Sequence, residues 1–175
     1  MAKVQFLSMC SHPNVISLIS YAKDVDNDRL LLVYPFCPLG SLCDNLDVLE
    51  WAQNYSAIIC DFGSAIRAGD RHESGTMGYM YPNTTESAKP KIDIYSLGVI
   101  LLQLVTKKPY SHKNRKHLED IINEKHKLKK LIDESLLSSG CSKKKGKKTI
   151  KLALDCLHGN RPDASEVVQK LDNFF

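Results

Sequence analysis

From Ile92 to Thr106 the chain reads IDIYSLGVILLQLVT, apolar on nearly every side of a helical wheel. A helix of that kind has no face to offer water and persists only when other elements surround it. Its best apolar run, Leu97 to Val105, is about half the length a bilayer requires. The stretch therefore predicts the buried central helix of a globular fold rather than a membrane span. A chain of 175 residues, 43% hydrophobic and 25% charged, is long enough to build one core around it. Three further helical segments are expected near 114–125, 147–158 and 163–173. Asp163, just after Pro162, is the start signal of the last.

The N-terminal part has another character. Val4 to Met9 reads as the end of a helix, which His12-Pro13-Asn14 breaks. Val15 to Ile19 and Leu30 to Tyr34 read as strands. The intervening DVDNDR, Asp24 to Arg29, has the alternating aspartates of a calcium loop. Its sixth position is Arg29 instead of glycine and its twelfth is Pro35 instead of glutamate, so a polar hairpin turn is the better reading. Ser41 is expected to cap a short helix through Leu46. Ala57 to Cys60 is expected as a third strand, and residues 64–90 as a long loop of the kind that carries function.

Charge is unevenly spread. Residues 106–151 hold 15 Lys or Arg against 5 Asp or Glu, while the remainder holds 9 against 15, for a net charge of +4. The basic excess peaks at Lys143-Lys144-Lys145-Gly146-Lys147-Lys148. A cluster like this attracts nucleic acid or an anionic membrane surface. It has no aromatic residue to stack on bases, and a solvated loop is the plainer reading. The six cysteines form no C-x-x-C pair, so reduced thiols are expected rather than a disulfide framework or a zinc site. The N-terminus carries one lysine and no cleavage signature, so no signal peptide is expected.

Six blocks follow one another in a telling order: SHPNVISLISY, LLLVYPFCPLGSL, ICDFGSA, GTMGYMYP, KIDIYSLGVILLQLVT and NRPDASEVVQKL. Together they resemble successive landmarks of eukaryotic protein kinases, in particular plant receptor-like and receptor-like cytoplasmic serine/threonine kinases. Asp-Phe-Gly alone would be a weak signal; six blocks in order are a strong one. The resemblance implies an α+β class, an incomplete kinase-like fold with remnant small-lobe strands and a mostly helical large lobe. Residues 1–38 would be the partial small lobe and hinge, and 39–175 the large lobe with an internal deletion near 53–54.

The same resemblance assigns residues. Tyr34 matches the gatekeeper of the nucleotide pocket, and Pro35 and Cys37 match hinge positions whose backbone meets adenine. Asp61 matches a magnesium ligand. Ser64, Ser74 and Thr76 lie on the activation segment, where family members accept phosphate; Thr76 also matches the residue that bonds the catalytic loop. Asp93 and Arg161 match structural anchors, Arg161 being the partner of a glutamate at the position of Asn83.

Phosphoryl transfer needs a lysine on the phosphates, magnesium held by two side chains, and a base for the substrate hydroxyl. The glycine-rich loop and that lysine have no counterpart here, and Lys3 stands where the family pairs the lysine with a glutamate. The His-Arg-Asp loop and its metal-binding Asn would fall between Gln53 and Asn54, where nothing intervenes. ATP and magnesium are thus implied by resemblance but expected to bind weakly or not at all. The expected function is that of an inactive, pseudokinase-like binding or regulatory protein in the cytoplasm or at the cytoplasmic face of the plasma membrane. Its partners would be signalling proteins or an intact kinase, with no specific nucleic acid. The alternatives are a serine/threonine kinase represented by a truncated or mis-spliced chain, and a binder of anionic partners through lysines 143–151.

Overall fold

The computed structural model describes residues 2–51, 55–66, 69, 75–82, 90–109 and 130–174. They form two compact units, one of residues 1–40 with 54–65 and one of residues 41–53 with 66–175. The mixture of a two-stranded antiparallel sheet with a helical remainder is α+β.

The first unit contains α1 (Ala2–Met9), β1 (Ser20–Asp24), β2 (Arg29–Val33) and a short 3-10 turn, Phe62–Ser64. β1 and β2 pair antiparallel from Ser20 opposite Val33 to Asp24 opposite Arg29. The aspartates close the hairpin: Asn27 donates its backbone N–H and its side-chain amide to the Asp24 carboxylate, at 3.3 and 2.9 Å. These bonds hold the Asp24 carboxyl below its usual range.

The first strand lies later than the apolar run at Val15 to Ile19 suggests. Val15 instead makes an isolated parallel bridge to Ile59, and the strand expected at Ala57 to Cys60 is reduced to that one bridge. Pro13 has no N–H to extend the ladder, and the carbonyl of Ala57 is taken by the Asn14 side chain at 2.8 Å. Val4, Leu7 and Ile16 are buried in this unit, whereas Tyr21, Leu31, Val33 and Phe36 are exposed. A hairpin with so small an apolar base is marginal by itself.

The second unit is built on α2 (Lys91–Thr106), α3 (Glu134–Ser138), α4 (Lys143–Leu157) and α5 (Ala164–Asp172). The helix expected at 114–125 lies outside the described residues. Residues 42–48 remain turns rather than the helix expected after Ser41. Ser41 and Asp44 do make the reciprocal bonds of a cap, Asp44 Oδ2 accepting from Ser41 N–H at 3.1 Å and Ser41 Oγ from Asp44 N–H at 3.2 Å, but the Asn45 side-chain amide donates to the Ser41 carbonyl at 2.9 Å, the acceptor that the first α-helical bond would use. Asp163 does start α5 with a full capping box: its Oδ1 accepts from Glu166 N at 2.9 Å, and Glu166 Oε2 accepts from Asp163 N at 2.8 Å.

The lysine run is not a loop. It forms the first turns of α4, N-capped by Ser142, whose hydroxyl accepts from Lys145 N at 3.2 Å. The run was legible only as charge, because the apolar positions that make this helix amphipathic lie mostly beyond it.

The core forms where α2 crosses α4. Val99, Leu102, Ile150, Leu152, Ala153 and Cys156 are almost wholly buried there. Gly98 sets the closeness of the crossing: a Cβ at this position would lie 2.8 Å from Cys156 Cβ and 2.9 Å from the Ala153 carbonyl oxygen. Gly146 plays the same part against Ile132, whose Cδ1 would lie 2.7 Å from an added Cβ. Both glycines are needed for proximity, not for backbone freedom.

Burial pushes the Cys156 thiol up to about 11. An unfolded thiol ionises near pH 9.0. The folded chain thus keeps a proton that the unfolded chain releases, and this contribution is whole below the unfolded value and lost as pH climbs to the folded one. Urea unfolding at about pH 8 and about pH 10.5 should show a marked drop in stability at the higher pH. The variant Cys156→Ala should lose less over the same interval.

Candidate functional site

In the first unit, the segment before Asp61 is held by the His12-Pro13-Asn14 turn. Asn14 N–H donates to His12 Nδ1 at 3.1 Å, which turns the Asn14 side chain onto the Ala57 carbonyl. Ile59 N–H donates to the Asn14 carbonyl at 2.8 Å and Ile16 N–H to the Ile59 carbonyl at 2.9 Å. Asn14 is the residue that the sequence reading passed over. Its signal was available as an Asn after Pro at a helix break, a setting that favours side-chain bonds to nearby backbone.

A pocket of about 400 Å³ opens among His12, Pro13, Ile16, Pro35, Cys37 and Ile58. It brings two hinge candidates, Pro35 and Cys37, to one wall. The third, Tyr34, is half-buried and does not line it. Phe36, between the two, is 89% exposed. The Cys37 carbonyl accepts from Gly40 N–H at 3.2 Å, closing a turn that Gly40 completes at φ 72. No lysine or arginine is part of the pocket's lining.

Asp61 is exposed with a left-handed backbone, φ 61, directly before the 3-10 turn. Ser64, in that turn, is also exposed. Among the described residues no group of three or more His, Cys, Asp or Glu side chains is arranged to hold a metal ion. Asp61 is not part of the pocket's lining.

In the second unit, residues 75–82 lie against α2. Tyr79 donates its hydroxyl to Gln103 Oε1 at 3.0 Å, and the Ser96 hydroxyl donates to the Tyr79 carbonyl at 2.7 Å. Thr76 is exposed, and its carbonyl accepts from Tyr79 N–H at 3.1 Å. Ser74 and Asn83 lie outside the described residues.

The two anchors have opposite settings. Asp93 is exposed in the first turn of α2, where a carboxylate complements the helix dipole. Arg161 is 6% exposed. Its Nε donates to the His158 carbonyl at 3.2 Å and its Nη1 to the Lys91 carbonyl at 3.3 Å. The guanidinium lies 4.1 Å from the centre of the Tyr81 ring and 5.7 Å from that of Tyr95, and these rings meet edge to face. Its Nη2 has no hydrogen-bond partner among the described residues. Carbonyl dipoles and ring faces thus surround a buried cation that the sequence reading had left without its carboxylate. Lys91 reinforces the arrangement by donating from Nζ to the Arg161 carbonyl at 2.9 Å.

Comparison with known proteins bears on what this arrangement belongs to. The family description "Protein kinase domain" matches residues 48–171. The chain is 28% identical to serine/threonine-protein kinase PBL34 of Arabidopsis thaliana, over 98% of its own length and 46% of the relative's. It is 28% identical to the EPD1-interacting receptor-like cytoplasmic serine/threonine-protein kinase of Nicotiana benthamiana, over 98% and 50%. A probable leucine-rich repeat receptor-like protein kinase of Arabidopsis thaliana is 26% identical over 98% and 24%. The chain thus spans about half the length, or less, of these curated relatives. The PBL34 alignment runs over 232 positions yet takes in 98% of 175 residues, which leaves about 60 aligned positions with no residue of this chain.

Removing the ring from the Arg161 cage should cost stability. Tyr81→Leu is expected to lose about 1–2 kcal/mol, the value of a partly desolvated cation over a ring. Arg161→Ala should lose more, about 2–4 kcal/mol, since two carbonyls and both rings are left without it. Urea unfolding of the full chain measures both. Equal midpoints for wild type and Arg161→Ala would remove the cage as a structural element.

Proposed function

Because the chain belongs to the protein kinase family, we propose that it acts as a catalytically inert, kinase-derived binding protein of the receptor-like cytoplasmic type. The observation that carries this reading is the stretch between Trp51 and Asp61. Ala52 to Cys60 contains no carboxylate, histidine, lysine or arginine. The family's chemistry requires a carboxylate base and a second metal-binding side chain in a catalytic loop. The roughly 60 unmatched alignment positions support the view that this loop and its neighbouring helix are what the chain lacks.

In this reading residues 1–38 are a remnant small lobe with hinge and 39–175 a large lobe with its deletion near 53–54. Tyr34, Pro35 and Cys37 keep the adenine side of a pocket, and Asp61 keeps one potential magnesium contact. Ser64, Ser74 and Thr76 belong to a surface segment able to receive phosphate from another kinase. Asp93 and Arg161 serve structure rather than catalysis. The family uses ATP and magnesium in general; here the proposal is that nucleotide binds too weakly for cellular concentrations to fill the site. The partners would be signalling proteins that an intact relative also engages, in the cytoplasm. No described helix is long and apolar enough to cross a membrane.

A second reading draws on the alignments, which take in 98% of this chain and so reach residues on both sides of 53–54. It takes the chain as the shortened product of a gene whose full form is an active serine/threonine kinase. The two readings share one expectation for the 175-residue chain itself, which is weak nucleotide binding. A ligand at about fifty times its Kd would stabilise the fold by about 2.3 kcal/mol. That gain shifts a melting midpoint by several degrees. A melt in about 5 mM magnesium-ATP should move by less than about one degree. A shift of several degrees would contradict the proposed loss of phosphate contacts.

A further inference from the structure

Five of the six lysines of α4 share one side of the helix. Gly146, Thr149, Ile150, Leu152, Ala153 and Cys156 are its buried residues. At about 100° per residue these occupy one side of the wheel, and Lys143, Lys144, Lys147, Lys148 and Lys151 fall within about 140° on the other. The stripe runs about 12 Å along the axis. Lys143, Lys144 and Lys151 are exposed, and Lys147 and Lys148 half-buried.

This placement works against the helix. Lys143 and Lys147, Lys144 and Lys148, and Lys147 and Lys151 are like-charged neighbours four residues apart, each pair unfavourable. They also crowd the positive end of the helix dipole, and the first turn holds no acidic residue. The ion pairs found among the described residues, Lys23 with Asp28 and Lys170 with Asp155, involve none of these five. Lys148 alone has another recorded contact, its Nζ lying 5.0 Å from the centre of the Phe174 ring. Helix packing against α2 holds the stripe in place despite its self-repulsion.

We propose that this stripe is a docking surface for an anionic lipid bilayer. Charge complementarity selects the class of partner. Lysine ammonium groups are point charges on flexible stems, without the planar fork that grips one carboxylate or phosphate. They suit a diffuse negative surface more than a single ligand. The arc carries no arginine, asparagine, glutamine or aromatic side chain to read base edges or stack on bases, which separates it from a nucleic-acid site. A cluster of five lysines on an amphipathic helix is of the size that binds phosphatidylserine-bearing leaflets. Outside residues 106–151 acidic residues outnumber basic ones by 15 to 9, so the positive charge that an anionic surface attracts is concentrated in this part of the sequence.

The test is flotation of the full chain with vesicles of phosphatidylcholine alone or with about 30% phosphatidylserine, in about 0.1 M salt. The chain should float with the anionic vesicles only, and about 0.4 M salt should release it. Neutralising Lys143, Lys144 and Lys151 to Gln should lower partitioning by about tenfold or more, at roughly fivefold per lysine near the surface. A control variant, Lys23→Gln with Arg29→Gln, removes charge at two exposed positions outside residues 106–151. It should stay within about twofold of wild type. Both variants are checked by thermal melting, and the helix variant should melt no lower than wild type once its repulsion is relieved. Equal losses in the two variants, no flotation, or tighter binding to a short DNA or RNA duplex than to the vesicles would each overturn the proposal.

Discussion

The backbones of α2 and α4 approach so closely at Gly98 that no side chain fits between them. That contact turns two unlike helices into one core. α2 is apolar nearly all round and contributes Val99 and Leu102, while α4 is half basic and contributes Ile150, Ala153 and Cys156. With the crossing in place, Val167 of α5 closes the same cluster. Without it, α4 would have only its self-repelling lysines and a single N-cap to sustain it. A helix of that composition is not stable in isolation.

The crossing also explains how a buried cation is tolerated. Arg161 follows the end of α4, and Lys91 opens α2, so the packing of the two helices brings the Lys91 carbonyl to the guanidinium. Tyr95, on α2, supplies one ring face. Tyr81 supplies the closer one, from a segment pinned to α2 by Tyr79 and Ser96. A missing carboxylate partner ordinarily leaves a buried charge costly. Here dipoles and quadrupoles share the task, and the helical unit keeps its form although the chemistry of its family is absent from the proposed function.

Much of this was readable in the sequence because it depends on local chemistry. The periodicity around Leu97 to Val105, the Asp163 start signal and the Asp24 to Arg29 turn each rest on neighbouring residues, and each appears in the fold. The α4 start was missed because six lysines in nine positions have no apolar period until Ile150 adds one. The strand at Val15 to Ile19 was misplaced because its pairing depends on Ala57 and Ile59, more than 40 positions away. The candidates Pro35 and Cys37 do share a pocket wall, whereas Tyr34 stands off it. The rings around Arg161 were invisible for the same physical reason: a cage from positions 81, 95 and 161 leaves no local trace.

The proposed inertness rests on the lack of a carboxylate between Ala52 and Cys60, and transfer of labelled phosphate tests it most directly. Purified full-length chain is incubated with magnesium and ATP labelled on the terminal phosphate, with and without a generic protein substrate. The account predicts incorporation into either protein no greater than that of an Asp61→Ala variant. Incorporation well above that variant would show that this chain positions a metal-bound triphosphate after all, and the inert reading would be wrong.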